Sequence, residues 1–280
     1  MSSPRRRGDP VFGSQARAKH IHVREVHAPS VRLFAAPDAS LEIETLLYHG
    51  HRVDVLDGLT DPGSFVRVHS HVDGYEGWVE KAALGNITHR THRICTPLAA
   101  VRSGLPTQAH TTARLHKNSL VKVTRRANKS VYLEELGWVV EANVKPIGVY
   151  ERDFVEVIER FAWTPYDWAG IDCSGVLQMA LLSTGVWAPR NSSQQRQLLG
   201  EMFVPHSSLV NMHRGDMVFW DKHVAVMVDD YTLIHATDNV GYVTKEPLRQ
   251  VITRFRTEEQ KEILAVRRFP DYYKIEYGLT

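Results

Sequence analysis

The stretch AGIDCSGVLQ, residues 169–178, contains Cys173, one of only two cysteines in the 280-residue chain. An apolar run follows, so the spacing predicts a helix that begins at or just before the cysteine. The unpaired amides and the positive dipole end of such a helix favour a thiolate, which lowers the pKa of the thiol and makes it a nucleophile. The same amides can stabilise an oxyanion. A small buried core cysteine is the alternative that the local sequence leaves open.

An α+β domain is predicted around this stretch. Apolar side chains recur at helical spacing in YERDFVEVIERFAW, residues 150–163, and again in CSGVLQMALLSTG, residues 173–185, where Gly185 is a plausible stop. Four strand-like runs follow: GDMVFW (215–220), HVAVMVDD (223–230), TLIHAT (232–237) and EILAVRRF (262–269). Helices followed by an antiparallel sheet are typical of the α+β class.

Two of these strands supply a pair of histidines. His223 opens one strand and His235 lies in the next, with Asp229 and Asp230 marking the turn between them. A three-residue loop centred on 229 would place the two histidines directly opposite each other, with their Cβ atoms ~5 Å apart. One ring could then take the thiol proton while the other fixes its orientation. Two exposed edge histidines are the alternative.

Residues 20–147 consist of short strand-like runs separated by turn signals. HRVDVLDG (51–58), SFVRVHS (64–70) and GWVEKAAL (77–84) are followed by a second set: SLVKVTRR (119–126), SVYLEEL (130–136) and GWVVEANV (137–144). The triplet Gly77-Trp78-Val79 recurs as Gly137-Trp138-Val139. We interpret the segment as two copies of a β-barrel of about 60 residues, at 20–85 and 86–147. Each tryptophan is expected to cap a barrel end, with the last strand after it.

Composition narrows the class of protein. A net charge of +2 is too small to indicate a nucleic-acid partner, and no run approaches the ~20 apolar residues of a membrane span. The N-terminus lacks the apolar core of a signal peptide, so the sequence predicts a cytoplasmic protein with reduced cysteines. Because CxxC and HExxH are absent, neither a metal nor a cofactor is predicted. Residues 1–19 are interpreted as a basic disordered tail, with a surface-binding arm as the alternative, and 271–280 as a C-terminal tail.

Five segments, in order, carry a resemblance to a known family: TPYDWAGIDCSGVLQ (164–178), PRNSSQQ (189–195), RGDMVFW (214–220), HVAVMV (223–228) and LIHAT (233–237). Together they resemble the NlpC/P60 family of cysteine peptidases. The resemblance implies a papain-like catalytic domain over residues 148–270. The preceding pair of barrels resembles the bacterial SH3 (SH3b) domains of three-domain members that cut cell-wall peptides.

The resemblance assigns three catalytic roles. It makes Cys173 the nucleophile, His223 the general base and His235 the third residue. It implies hydrolysis of the γ-D-glutamyl to diamino-acid bond in murein stem peptides with a free N-terminal L-alanine, and the lack of an export signal predicts that these are recycled or imported wall fragments. No cofactor or metal is implied, and the oligomeric state is left open.

Further positions are implied to bind the free N-terminus of the peptide, since an ammonium group needs carboxylate and hydroxyl acceptors. The matching residues are Tyr166, Asp172, Ser174, Ser192 or Ser193, and Tyr75 of the first barrel. An acidic residue from that barrel, either Glu42 or Glu44, is expected to join them. Each of these side chains also has a purely structural interpretation, as a packed aromatic, a helix cap or an exposed loop residue.

Two departures from the family pattern fall just before the nucleophile. Ala169 stands in place of the first glycine of a Trp-Gly-Gly segment, and a loop that bears an Arg-Ser pair is absent, so Tyr166 lies seven residues before Cys173. The rim of the pocket is therefore expected to differ. Two other functions stay open: a binding protein built from SH3b modules with a degenerate catalytic domain, and a Cys-His amidase or acyltransferase.

Overall fold

The computed structural model describes residues 22–41, 43–60, 62–105, 109–167, 170–271 and 276. The predicted basic tail at 1–19 lies outside the described residues, as do Glu42, Ala169 and all of the predicted C-terminal tail except Asp271 and Glu276. Within the described part of the chain, no helix has the length and apolar character that crossing a membrane requires.

The first β domain, residues 22–85, is an antiparallel sheet with the strand order β3-β2-β6-β5-β4-β1-β7. Its inner face is formed by alternating residues such as Val53 and Val55, which are buried while their neighbours reach solvent or lie half-buried. The strands are β1 (His22–Val26), β2 (Ser30–Phe34), β3 (Ile43–Tyr48), β4 (Arg52–Asp57), β5 (Phe65–Ser70), β6 (Glu76–Glu80) and β7 (Leu84–Gly85).

The second β domain, residues 92–146, repeats this arrangement in two sheets, β10-β9-β14-β13-β12 and β11-β8-β15. Trp78 lies in β6 between β5 and β2, and Trp138 lies in β14 between β13 and β9, so the two triplets occupy equivalent strands. Each tryptophan lies within its strand, and a 3-10 turn then leads to the short last strand. The strands are β8 (His92–Ile94), β9 (Leu98–Arg102), β10 (Thr111–His116), β11 (Leu120–Val121), β12 (Val123–Ala127), β13 (Ser130–Leu133), β14 (Gly137–Val140) and β15 (Val144–Pro146).

The α+β domain, residues 154–268, has the antiparallel sheet order β16-β21-β17-β18-β19-β20. Both faces of this sheet are covered. Val224 and Val226 pack with α2, whereas Ala225 and Met227 pack with α4. The elements are α1 (Phe154–Glu159), α2 (Cys173–Thr184), α3 (Ser192–Leu198), β16 (Glu201–Phe203), β17 (Met217–Trp220), β18 (His223–Met227), β19 (Thr232–Thr237), β20 (Tyr242–Pro247), α4 (Leu248–Glu258) and β21 (Ala265–Arg268).

Helix α2 begins at Cys173, as the sequence predicts. The Asp172 side chain caps the helix by accepting a hydrogen bond of 2.6 Å from the Gly175 amide. Gly175 is required here because a Cβ would lie 2.2 Å from the Gly170 carbonyl oxygen. The helix ends at Gly185, which adopts the left-handed conformation with φ 84°.

Both β domains contact the outer side of α2. From the first domain, Asp73 accepts a 3.1 Å hydrogen bond from Gln178 of the helix. From the second domain, Asn118 donates a 2.9 Å hydrogen bond to the Met179 carbonyl, and Arg93 donates one of 2.8 Å to the Ser183 carbonyl. The helix that carries Cys173 is therefore held from the sheet side and from both β domains.

Candidate active site

Cys173 lies at the first turn of α2, against the start of β18. Its half-buried thiol is 3.9 Å from the carbonyl oxygen of Lys222, a residue with φ 56°, and it also contacts the backbone amide of Val224. The thiol is therefore placed against the backbone on either side of His223. Its side-chain hydrogen bond is to the carbonyl and not to the imidazole. Catalytic hydrogen bonds are often long or poorly aligned in unliganded structures, so this geometry is compatible with His223 as the base.

The thiol is protonated in this resting arrangement. Burial, followed by the nearby Asp172 carboxylate, raises the pKa of Cys173 to about 12, while the Val224 and Ser174 amides lower it only in part. The expectation of a lowered thiol pKa at the helix terminus is therefore wrong, because desolvation outweighs the helix amides at this position. Catalysis at neutral pH requires a base that removes the proton during attack.

His223 and His235 are in contact, with 2.8 Å between His223 Nε2 and His235 Nδ1. The predicted direct opposition is wrong by two residues, since β18 and β19 pair Val226 with Ile234 and Met227 with Leu233. Asp229 sets this register by accepting from the amides of the turn residues Tyr231 and Thr232, which centres the loop on 230. A shift of two residues keeps the same face of the sheet, so the histidines are diagonal neighbours.

His223 is an uncharged base in this environment. Burial lowers its pKa well below the usual value, and the positive charges near it, including Lys261, act in the same direction. The imidazole packs edge-on against Phe255 of α4, with 5.1 Å between the ring centroids. Because Nε2 is occupied by His235, Nδ1 is the ring nitrogen that can receive the thiol proton.

Two further residues extend the histidine pair, and the sequence interpretation missed both. Glu246 of β20 accepts a 2.8 Å hydrogen bond from Nε2 of His235, and Arg254 of α4 donates two hydrogen bonds of 2.6 and 2.7 Å to the Glu246 carboxylate. The available signals were the alternation in YVTKEP (242–247) and the helical spacing of apolar residues in LRQVITRF (248–255).

Asp172 and Ser174 belong to a buried polar cluster built around Arg190. The guanidinium of Arg190 donates to both Asp172 oxygens, at 3.0 and 2.8 Å, and to Ser174 Oγ at 3.1 Å. Its Nε donates to Thr45 Oγ1 of the first β domain, at 2.9 Å. Arg190 was not assigned a role from the sequence. In the unliganded structure the Asp172 carboxylate thus already accepts hydrogen bonds from the Arg190 guanidinium and from the Gly175 amide of α2.

Tyr75 of the first β domain lies close to the Arg190 cluster. Its hydroxyl donates a 2.8 Å hydrogen bond to Glu44 Oε2, and the Asn191 side chain hydrogen-bonds to it as well. Glu44 precedes Thr45, the partner of Arg190. Of the two acidic candidates, Glu44 lies beside Tyr75, whereas Glu42 is outside the described residues.

Tyr166 and the two serines surround the remaining side. Tyr166 is half-buried against the main core, and burial, then the negative charge of Asp172, raises the pKa of its phenol. Ser192 and Ser193 form the first turn of α3, with Asn191 as the N-cap residue. Neither serine is the cap. Ser192 is half-buried and Ser193 is exposed.

Two segments of the chain match known protein families. Residues 159–260 match the model of the NlpC/P60 family, and residues 33–84 match that of the bacterial dipeptidyl-peptidase SH3 domain. The chain therefore carries an NlpC/P60 domain with a papain-like fold over residues 159–260, and a bacterial SH3 domain over residues 33–84 precedes it.

Two relatives extend the likeness along the chain. Dipeptidyl-peptidase 6 from Lysinibacillus sphaericus is 22% identical over 275 residues, which cover 86% of this chain and 97% of that protein. A solved NlpC/P60 family protein from Bacillus cereus ATCC 10987 superposes with a TM-score of 0.70 at 20% identity, over 89% of this chain and 99% of that one. The two proteins thus share one fold over 89% of this chain. The match to the NlpC/P60 model indicates a cysteine hydrolase.

Proposed function

We propose that this chain hydrolyses the γ-D-glutamyl to diamino-acid bond of murein stem peptides whose N-terminal L-alanine is unblocked. The supporting observation is the position of Glu44 and Tyr75, which the first β domain brings next to the Arg190 cluster. Among the described residues, no cation pairs with Glu44, whereas Asp172 is neutralised by Arg190. Glu44 is therefore the carboxylate best suited to an ammonium group.

The reaction follows from the contacts at Cys173. The proton moves from Sγ to His223 Nδ1 as Sγ attacks the carbonyl carbon, and the resulting oxyanion is stabilised by backbone amides at the start of α2. The C–N bond then breaks, and the leaving amine takes the proton from His223. In the second half, His223 deprotonates a water that attacks the thioester, which releases the γ-glutamyl carboxylate and restores the thiol.

We further propose that the substrates are recycled or imported wall fragments inside the cell. A free N-terminus arises only after the stem peptide has been detached from the glycan, so the amine requirement selects released peptides over the intact wall. Comparing cleavage of L-Ala-γ-D-Glu-diaminopimelate with its N-acetylated form tests this. Tight discrimination is expected, with the acetylated peptide at least about 100-fold poorer in kcat/KM because its amine charge is lost. Equal cleavage would remove the case for an amine pocket.

The nucleophile is tested by substitution. Cys173→Ala is expected to abolish cleavage of this peptide, with an unchanged circular dichroism spectrum, because no other thiol lies at the site. Cys95→Ala is the matched control, since Cys95 is buried in the second β domain, where its thiol donates to the Ala142 carbonyl. Full activity of Cys173→Ala would contradict the assignment.

A binding protein with a degenerate catalytic domain is the second candidate. The observation in its favour is that the Cys173 thiol contacts the Lys222 carbonyl and not the imidazole. This candidate predicts that the wild-type protein binds the peptide in calorimetry without releasing any product. Product formation that depends on Cys173 excludes it.

A further inference from the structure

A line of hydrogen bonds begins at His223, the proposed base, and continues through His235 and Glu246 to Arg254. We propose that Glu246 is a positioning residue that fixes the tautomers of both histidines and so leaves Nδ1 of His223 as the proton acceptor. This inference rests on the proposed function only in taking His223 as the base. Glu246 contacts neither the thiol nor the proposed substrate pocket, so its effect passes through His235.

The carboxylate of Glu246 is an obligate acceptor. Arg254 donates to both of its oxygens, and the hydrogen bonds from Arg254 and then His235 lower the pKa of Glu246 to about 2. A carboxylate without a proton cannot donate a hydrogen bond. Nε2 of His235 must therefore carry the hydrogen in the 2.8 Å contact with Glu246.

The tautomer of His235 in turn fixes that of His223. With hydrogen on Nε2 and a lone pair on Nδ1, His235 accepts a hydrogen bond that His223 donates through its Nε2 across the 2.8 Å contact. A neutral His223 with hydrogen on Nε2 has its lone pair on Nδ1. The negative charge of the Glu246 carboxylate thus determines which nitrogen of the His223 ring, two hydrogen bonds away, can act as a base.

Burial makes this arrangement rigid. The side chain of His235 has no solvent-exposed surface, so bulk solvent does not compete with Glu246 for its Nε2. Glu246 and His235 share one face of adjacent strands, since Glu246 pairs with Leu233 and His235 pairs with Thr244. The ring of Phe255 closes the same face against His223. When His223 takes the proton, its positive charge is shared through His235 toward Glu246.

The tautomers can be measured directly in the wild-type chain. Two-bond ¹H–¹⁵N spectra of protein labelled with ¹⁵N-histidine, recorded at pH 7.5, distinguish Nε2–H from Nδ1–H, with His223→Gln and His235→Gln used for assignment. Both rings are expected as Nε2–H tautomers. An Nδ1–H tautomer or an imidazolium at either position overturns the proposal, and this result needs no substrate, no turnover and no folded Glu246 variant.

Substitutions of Glu246 then distinguish a role in positioning the histidines from a role in stabilising the fold. Glu246→Gln keeps an acceptor without the charge, and Glu246→Ala removes the acceptor. We expect kcat to fall about 10-fold and about 100-fold respectively, with KM within about twofold, and mixed tautomers in the alanine variant. Glu262→Ala is the matched control, because Glu262 makes the same two-point pair with Arg256 on the surface, at 2.7 and 2.8 Å.

The outcomes are distinguishable from failure of the proposed function. If no murein peptide is cleaved, the wild-type tautomers still decide the role of Glu246. Equal losses of kcat in the glutamine and alanine variants, with wild-type tautomers in both, would mean that Glu246 only supports the fold, and would overturn the proposal.

Discussion

At the scale of single residues, the resting site pairs a neutral thiol with a neutral imidazole. Burial raises the pKa of Cys173 and lowers that of His223, so both groups are uncharged near pH 7. Such a pair differs from a preformed thiolate and imidazolium, in which the helix terminus and a cationic partner stabilise the anion. Attack by the thiol therefore requires transfer of its proton to the imidazole.

The neutral state of the Cys173 thiol predicts how its rate of alkylation depends on pH. In a Cys95→Ala background, where Cys173 is the only thiol, the rate of reaction with iodoacetamide should rise about tenfold per pH unit between pH 7 and 9.5, because the thiolate fraction grows that way below a pKa of about 12. Mass spectrometry of the labelled protein measures the rate. A plateau below pH 8 would show a thiolate at rest and contradict the neutral pair.

At the scale of elements, local patterns in the catalytic domain were sufficient for α2 and for the strands β17, β18, β19 and β21, but not for β16, for β20 or for the register. The apolar spacing after Cys173 and the cap residues Asp172 and Gly185 define α2 at both ends. The pairing of β18 with β19 depends on one Asp side chain that moves the loop centre by one residue. The partners Glu246 and Arg190 were missed, because each acts through a residue on a different element.

Arg190 connects the start of α2 to the loop before α3, and its geometry predicts a strong effect of a conservative change. Arg190→Lys loses the two-point contact with Asp172 and the bond to Thr45. We expect a loss of about 2–4 kcal/mol in the free energy of unfolding, since the side chain is only 4% exposed and Asp172 is left poorly paired. Urea denaturation measures it.

The control for this substitution is Arg256→Lys, an exposed pair with Glu262 that should leave stability unchanged. Activity provides a second measurement. Because Asp172 caps the helix that begins at Cys173, kcat should fall together with stability in Arg190→Lys. Unchanged unfolding and unchanged kcat would mean that the cluster does not hold the helix terminus.

At the scale of the whole molecule, the two β domains and the catalytic helix form one packed unit. Tyr48 of β3 stacks on His116 of the second domain, with 4.9 Å between ring centroids, and its hydroxyl contacts the Met179 sulfur of α2. The sequence predicted each domain but could not show these contacts, since they join residues more than 60 positions apart that have no shared periodicity. The domain boundaries at 85/86 and 147/148 stay predictions.

Histidines buried at this junction make the unit sensitive to acid. His51 packs edge-on against Tyr48, and its Nδ1 accepts a hydrogen bond from the Tyr48 amide. Burial lowers the pKa of His51 to about 4, and it also lowers the pKa of His116. In the unfolded chain a histidine has a pKa near 6.5, so between about pH 6.5 and 4 the unfolded state binds protons that the folded state rejects.

The contribution of these histidines to the free energy of unfolding is therefore expected to be constant above pH 6.5. It should fall as the pH drops toward 4, by up to about 1.4 kcal/mol per pH unit for each such histidine. His51→Gln keeps an acceptor for the Tyr48 amide but cannot titrate, so its pH slope should be shallower than that of the wild type. His89→Gln, at an exposed histidine, should keep the wild-type slope. Urea unfolding at a series of pH values gives all three slopes, and identical slopes for His51→Gln and the wild type would show that the junction does not exclude protons from His51.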